Sequence, residues 1–179
     1  VTDKDCGVSN IVSTTSQYVV VYDPSAGFVT GGGWINSPAN ACGSGGQAQG
    51  VCNSLTTGRA NFGFSSQYKK GATTPTGETE FQFQAGNLNF HSLSYQWLVV
   101  SGARAQYKGT GTINGSDGYS FLLTVIDGAL PGGSGSDKFR MKIWDTASGT
   151  VVYDNQMGAP DSSDPSTVIG GGDIVIHNS

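Results

Sequence analysis

Side chains able to move protons lie close together in the motif NFHSLSYQW. His91 and Tyr95 are four residues apart, and Arg104 follows soon after. A histidine and a tyrosine beside an arginine that neutralises a uronate carboxylate are the groups that a β-eliminating polysaccharide lyase needs. The structural alternative is that His91, near the predicted bend of a strand, bonds only a backbone group. A lyase is therefore one candidate function.

The chain contains only two glutamates, Glu78 and Glu80. On a strand they would share one face, and glycoside hydrolases use two carboxylates ~5–5.5 Å or ~6.5–9.5 Å apart. The alternative is a solvated sheet surface, because Gln82 and Gln84 continue the same polar row. Such a surface would pair the acids with basic rows on other strands. Those rows comprise Arg104, Lys108, Lys138, Arg140 and Lys142.

Oxygen-bearing side chains cluster in the segment YDNQMGAPDSSDP, which has no Lys or Arg. Asp154, Asp161 and Asp164 are candidate ligands for calcium, which takes six to eight oxygen ligands and stabilises many extracellular β modules. Asp127 and Asp137 bracket a second Gly-rich loop. The alternative is that these aspartates cap turns. No cofactor is certain from the sequence, and calcium is the one for which it offers candidate ligands.

Two tryptophans are candidates for a surface on which sugar rings stack. Trp97 follows the LSYQ segment, and Trp144 falls on the face of its predicted strand that carries Lys142, opposite Met141 and Ile143. A tryptophan in the core or in an interface is the alternative. We take both as candidate ligand-binding residues.

The elements that must position these side chains are predicted to be strands. Segments of alternating polarity separated by turn signals are typical of antiparallel sheet, and no segment has a helical period. The NGSDG stretch at 114–118 predicts a hairpin turn. Ten strands are expected, at residues 18–23, 27–36, 59–68, 78–84, 88–100 (with a break at 92–94), 103–113, 119–127, 138–145, 150–154 and 173–177. The pattern predicts an all-β antiparallel sandwich, with a closed antiparallel barrel as the alternative.

Three consecutive glycines occur twice, in TGGGWI at 30–35 and in VIGGGDIVI at 168–176. A phosphate-binding loop would lead into a helix with a recognisable motif, and neither copy does so. Glycine within a strand marks close approach of another backbone or ring. We therefore expect the first and last strands to meet at these glycines, beneath an aromatic ring such as Trp34.

The overall composition bounds the partners. The 179 residues include only 12% charged residues and carry a formal charge of −4, which argues against nucleic acid as a partner. No run approaches the ~20 apolar residues of a membrane-spanning helix, so membrane insertion is not expected. One domain at 18–179 is expected, preceded by an extension at 1–17.

The three cysteines suggest an oxidising compartment. Cys42 and Cys52 bracket a short Gly-rich loop and are expected to form a disulfide, which leaves the role of Cys6 open. Two unrelated thiols are the alternative. Because the chain begins with Val, we expect a targeting segment to have been removed or to lie outside this sequence. The predicted localisation is secreted or at the cell surface.

Several long motifs resemble one known module: VVVYDPSAGFVTGGGWI, FGFSSQYKKG, TGETEFQFQAGNLNFHS, YQWLVVSGARAQYKGTGTING, DKFRMKIWD, VVYDNQMG and IGGGDIVIH. The likeness covers about residues 18–178. The module is found near the C-terminus of large secreted bacterial surface proteins, after immunoglobulin-like repeats of the PKD or HYR type. The resemblance implies an extracytoplasmic β-rich module, without catalytic residues to carry over. The Cys42–Cys52 loop looks like an insertion relative to the pattern.

Together these features predict a secreted, non-catalytic binding or adhesion module. The expected partner is an extracellular polysaccharide or a cell-surface component. Two alternatives remain, a small polysaccharide-active enzyme (a lyase or a glycoside hydrolase) and a structural connector of a surface protein.

Overall fold

The segments of alternating polarity form strands, because alternate side chains of a strand face opposite sides of a sheet. A computed structural model describes residues 27–178, and the predicted strand at 18–23, the extension at 1–17 and Cys6 lie outside these residues. Nine strands form within them. They are β1 (Phe28–Ser37), β2 (Gly58–Gln67), β3 (Thr76–Phe83), β4 (Leu88–Ser101), β5 (Arg104–Ile113), β6 (Ser116–Ile126), β7 (Lys138–Asp145), β8 (Val151–Asp154) and β9 (Gly171–His177).

The strands form one antiparallel sheet that folds over on itself. Its order is β8-β7-β6-β5-β4-β3-β2-β1-β9, so all neighbours except β1 and β9 follow one another along the chain. Across the fold, the Phe62 ring of β2 stacks on Phe139 of β7 with 4.1 Å between ring centroids, and Phe81 lies 4.8 Å from Tyr153. The all-β antiparallel sandwich is confirmed. The sheet does not close into the alternative barrel.

The inner face of the folded sheet forms the core. Period-two alternation is clearest in β5, where Ala105 and Tyr107 are fully buried and the intervening Gln106 and Lys108 face outward. In β6 the outward positions are buried as well, because other side chains and a loop cover them. The outer face of the sheet is therefore covered at β6, whereas it is open to solvent on most other strands.

Strand β4 is continuous through the break predicted at 92–94. Its register against β5 shifts between Ser92 and Ser94 and again between Tyr95 and Trp97. Such bulges re-aim the side chains that follow them. As a result Tyr95 is buried whereas Trp97 is only half-buried, although both have odd numbers in one strand.

The hairpin turn predicted at 114–118 is confirmed. Ile113 pairs with Ser116, which leaves Asn114 and Gly115 as a two-residue loop with φ of 50° and 82°. Positive φ at both positions defines the turn type that Asn-Gly favours.

Two short helical turns were not predicted. A five-residue helix, α1 (Ser44–Ala48), lies inside the loop closed by a disulfide between Cys42 and Cys52, and Gln84–Gly86 form a 3-10 turn. Both are too short to show a helical period in the sequence. The disulfide itself is confirmed.

The two glycine triplets meet as predicted. Gly33 pairs with Gly172, and Trp34 pairs with Gly171, where β1 lies beside β9. A Cβ atom at Gly170 would collide with the Trp34 ring, and Gly172 has a φ of 105°. These glycines therefore let the indole and the two backbones approach closely, and their role is structural.

Candidate functional site

Trp97 of β4 and Trp144 of β7 line the same surface cavity, which has a volume of about 280 Å³. Both indoles are half-buried, although two strands separate β4 from β7. We call this cavity the two-tryptophan groove. Its other lining residues are Gln106, Lys108, Leu122, Asp161 and Ser162.

Cross-strand register brings these side chains together. Trp97 pairs with Lys108, Lys108 with Leu122, and Leu122 with Lys142, so one row crosses four strands on the outer face. Leu122 is only 4% exposed and forms the floor. Trp144 lies two residues beyond Lys142 and therefore projects from the same face, as predicted. An apolar floor between two half-buried indoles suits the apolar faces of a sugar ring.

Two lysines flank the Trp144 indole. The Nζ atoms of Lys108 and Lys142 lie 5.4 and 5.6 Å from the centroid of its ring. Lys142 also forms an ion pair with Asp161, with 2.6 Å between Nζ and Oδ1. Among residues 27–178, no carboxylate lies within ion-pair distance of Lys108. The groove therefore presents one cation without an acidic partner, beside an aromatic ring.

One wall of the groove is the 155–167 loop, which a buried ion pair anchors. Arg140 is 1% exposed and Asp154 is 2% exposed, and two hydrogen bonds of 3.0 and 2.8 Å join them. Arg140 also donates to the carbonyl oxygens of Ala159 and Pro160 at 2.9 and 2.8 Å. A bidentate pair with two further donors engaged by loop carbonyl groups fixes the path of the loop.

Further polar contacts hold the same loop against the sheet. Arg104 pairs with Asp164 at 3.0 Å, and Gln106 Nε2 donates to the carbonyl oxygen of Asp161 at 2.7 Å. The Asn155 side chain accepts from the Met141 amide at 2.8 Å, so it continues the pairing of β7 beyond the end of β8. Arg104, Arg140 and Lys142 were expected to pair with the two glutamates, and that expectation is wrong. They pair with Asp164, Asp154 and Asp161 instead.

The three aspartates predicted to bind calcium are distributed over three cations. Asp154 pairs with Arg140, Asp161 with Lys142 and Asp164 with Arg104. Within the described part of the chain, no group of three or more His, Cys, Asp or Glu side chains is arranged to hold a metal ion. The structure thus gives the calcium prediction no supporting site among those residues.

The second predicted acidic loop has a structural use. Asp127 accepts from the amides of Ala129 and Ile176 at 2.9 and 3.0 Å. Asp137 accepts from the amides of Gly128 and Ile174 at 2.7 and 2.8 Å. These carboxylates satisfy amides on the edge of β9 that does not pair with β1, which would otherwise be free to pair with another strand.

The predicted lyase constellation is not assembled. His91 is exposed on the outer face, whereas the Tyr95 hydroxyl is inside the core, 2.8 Å from Thr79 Oγ1 and 3.2 Å from Ser92 Oγ. Burial raises the pKa of Tyr95 above its usual value, so it stays protonated at neutral pH. Arg104 begins β5, while His91 pairs with Thr112 near the end of that strand.

The two glutamates lie on the outer face of β3, as the alternation predicts. Glu80 Oε1 is 3.4 Å from His91 Nδ1, and the two side chains are 59% and 50% exposed. Glu78 is also exposed and pairs in register with Ser65 of β2. Solvent screens such a pair, so its contribution to stability is small.

Comparisons with known proteins return no match to a protein family, a curated protein or a solved structure. In the part of the chain that the structure describes, no helix is long and apolar enough to cross a membrane. The Cys42–Cys52 disulfide is compatible with an extracellular setting.

Proposed function

We propose that this protein is an extracellular binding module that holds acidic polysaccharide in the two-tryptophan groove. The observation that carries the proposal is the convergence of Trp97 and Trp144 on one cavity beside Lys108. Trp97 offers an indole face to the apolar face of a sugar ring, while Trp144 holds the Lys108 ammonium group beside its own ring, where that group supplies the charge that a uronate carboxylate needs. The module is secreted or held at the cell surface.

The polar rim of the groove supports recognition of a hydroxyl-rich chain. Gln106 donates to both Thr124 and the Asp161 carbonyl, so its amide is held in place at the edge of the groove. Asp161 Oδ1 is engaged by Lys142, which leaves its second oxygen as an acceptor for sugar hydroxyls. A groove with a fixed rim loses little side-chain entropy when it binds.

The candidate catalytic groups do not favour the enzyme alternative. Tyr95 faces the core while His91 and Arg104 lie at opposite ends of the β4–β5 hairpin. The Glu80–His91 pair lies on a solvent-exposed sheet surface rather than in a cleft that could enclose a substrate. Binding without turnover is the function that the geometry supports best.

The first test incubates the protein with acidic and neutral polysaccharides coupled to an insoluble support and follows both protein depletion and soluble product. We expect depletion by polygalacturonate and alginate at low salt, without release of unsaturated or reducing ends. Trp97→Ala and Trp144→Ala should each weaken binding roughly thirtyfold, about 2 kcal/mol, as expected for a central aromatic contact. Gln96→Ala, a substitution at an exposed residue of β4 outside the groove, serves as the matched control.

Two results would contradict the proposal. Release of product by the wild-type protein would establish catalysis, and His91→Ala and Glu80→Gln would then become the relevant variants. Equal depletion by wild-type and Trp144→Ala protein would show that binding occurs elsewhere.

A further inference from the structure

A second surface cavity, of about 270 Å³, lies on the outer face across β2, β3 and β4. Six of its seven lining residues carry a side-chain carboxamide, and none carries a charge. They are Asn61, Gln82, Gln84, Asn87, Asn89 and Asn114, with Leu88 as the seventh residue. We call this cavity the carboxamide groove.

Three of the carboxamides form a regular row. Asn61 pairs with Gln82, and Gln82 pairs with Asn89, so the three side chains are direct cross-strand neighbours. Neighbouring strands lie about 4.8 Å apart. That spacing is close to the length of one sugar residue in an extended polysaccharide chain, so successive amides can address successive sugars.

One end of the groove is held rigid by backbone contacts. Asn114 Oδ1 accepts from the Asn89 amide at 3.0 Å, and its Nδ2 donates to the Asn87 carbonyl oxygen at 2.7 Å. Asn87 and Asn114 both adopt positive φ, which Asn tolerates better than most residues. Asn114 is therefore a positioning residue that ties the turn between β5 and β6 to the rim.

The remaining amides have unused hydrogen-bonding capacity. Within residues 27–178, the side chains of Gln82 and Asn89 have no protein hydrogen-bond partner, and both are exposed. Each carboxamide offers two donors and an acceptor, which match the mixed donor and acceptor character of sugar hydroxyls. Asn61 is the exception, because its Oδ1 accepts from Arg59 Nε at 2.9 Å at the end of the row. The lining residues themselves carry no charge, so the chemistry of the groove favours neutral chains.

We propose that the carboxamide groove is a second binding site, specific for neutral polysaccharide and independent of the two-tryptophan groove. The aromatic residue nearest to the row, Trp34, does not supply a free stacking face. Arg59 lies 4.7 Å above its ring, and Gly170 and Gly171 pack against the indole. Recognition there depends on hydrogen bonds, and binding should be insensitive to salt.

The test measures binding of neutral hexasaccharides (glucan, xylan and mannan) by titration calorimetry with the full chain. Gln82→Ala/Asn89→Ala should reduce affinity for the neutral ligand that binds by about tenfold or more, since the hydrogen bonds from two side chains are lost. Gln82→Glu keeps the size of the side chain and should also weaken binding. Gln96→Ala and Trp144→Ala should leave neutral binding unchanged.

Three outcomes would overturn the proposal. The wild-type protein binds none of the three neutral ligands, both Gln82 variants keep the wild-type affinity, or Trp144→Ala loses as much neutral-ligand affinity as the Gln82 variants do. The loss of hexagalacturonate binding in Trp144→Ala, measured in the same series, reports on the two-tryptophan groove. Failure of one site is thereby distinguished from failure of the other.

Discussion

The two grooves share one outer sheet surface but are built in different ways. The two-tryptophan groove has a wall whose position depends on the buried pair of Arg140 and Asp154. The carboxamide groove has no charged lining, and Asn114 fixes its rim through backbone atoms. Long-range charge pairs therefore support one groove, and local turn geometry supports the other.

This difference has consequences for stability. An ion pair that excludes water is strongly coupled to folding, because removing one partner leaves a buried charge. An exposed amide that bonds a neighbouring turn carries no such penalty. The two-tryptophan groove should consequently respond to substitutions far along the sequence, whereas the carboxamide groove should respond only to its own residues.

The largest expected effect comes from Arg140→Met. It leaves the Asp154 carboxylate buried without its partner and should lower the free energy of unfolding by about 3–5 kcal/mol. Urea unfolding followed by tryptophan fluorescence measures the change. Arg140→Met/Asp154→Leu should recover part of the loss, while Lys142→Met, which removes a half-exposed pair, should cost about 1 kcal/mol or less. A double variant less stable than the single variant would contradict this account.

Removal of the disulfide comes next. Cys42→Ser/Cys52→Ser should lower the free energy of unfolding by about 2–3 kcal/mol, through the entropy of the opened loop. The loop also lies against β8, where Gly43 donates to the Val152 carbonyl at 2.9 Å. Because β8 leads into Asp154, acidic-glycan binding should weaken near the unfolding midpoint before neutral binding does. Simultaneous loss of both activities would show that the two grooves are not separable.

High pH should destabilise the core around Tyr107. Burial raises the pKa of Tyr107 well above its ordinary value of 10.0, and the Tyr107 hydroxyl is 2.8 Å from Thr79 Oγ1. The contribution of the protonated Tyr107 hydroxyl to the free energy of unfolding is fully present below pH 10. It is lost as the pH rises above 10 toward the folded-state pKa, by up to about 1.4 kcal/mol per pH unit. Thermal melts between pH 8 and 11 test this, with Tyr107→Phe expected to show a shallower decline. An identical decline in Tyr107→Phe would exclude Tyr107 as a source.

A charge substitution sharpens the contrast between the grooves. Lys108→Gln should weaken acidic-glycan binding by about five- to tenfold, roughly 1 kcal/mol, and should reduce its dependence on salt. Neutral-glycan binding should not change, because Lys108 does not line the carboxamide groove. Calorimetry at low and high salt provides the measurement. An undiminished salt dependence would assign the charge recognition to another residue.

The smallest effect is expected for the former catalytic candidates. His91→Ala and Glu80→Gln should each change the free energy of unfolding by less than about 0.5 kcal/mol, because the pair is exposed. Neither should alter binding at the two-tryptophan groove. A loss of glycan binding in either variant would place His91 or Glu80 in a ligand site instead.

Local patterns predicted the strands, the disulfide and the meeting of the glycine triplets. Period-two alternation identifies the inward face of β7, and a short polar loop between Cys42 and Cys52 permits closure. The two GGG runs indicate close approach, because neither leads into a helix as a phosphate-binding loop would. The strands and the disulfide depend on neighbouring residues, whereas the meeting of β1 and β9 was predictable because each run carries its own signal, three consecutive glycines.

Features that depend on register between distant strands and leave no local signal were not predictable. The bulges in β4 place Tyr95 inside and Trp97 outside, which no alternation rule anticipates. The ion pairs between the aspartate segment and the basic rows had one indication in the sequence, a segment with three aspartates and no Lys or Arg. The row of Asn61, Gln82 and Asn89 left none, since each residue comes from a different strand.

The most direct test of the central claim is a fluorescence titration with hexagalacturonate at low salt. Trp97 and Trp144 line the groove, whereas Trp34 packs against glycines elsewhere. Saturable change in the wild-type protein, absent in Trp97→Phe/Trp144→Phe and retained in Trp34→Phe, is the predicted result. A saturable change that persists in the Trp97→Phe/Trp144→Phe variant, or no change in the wild-type protein, would contradict the assignment of the groove.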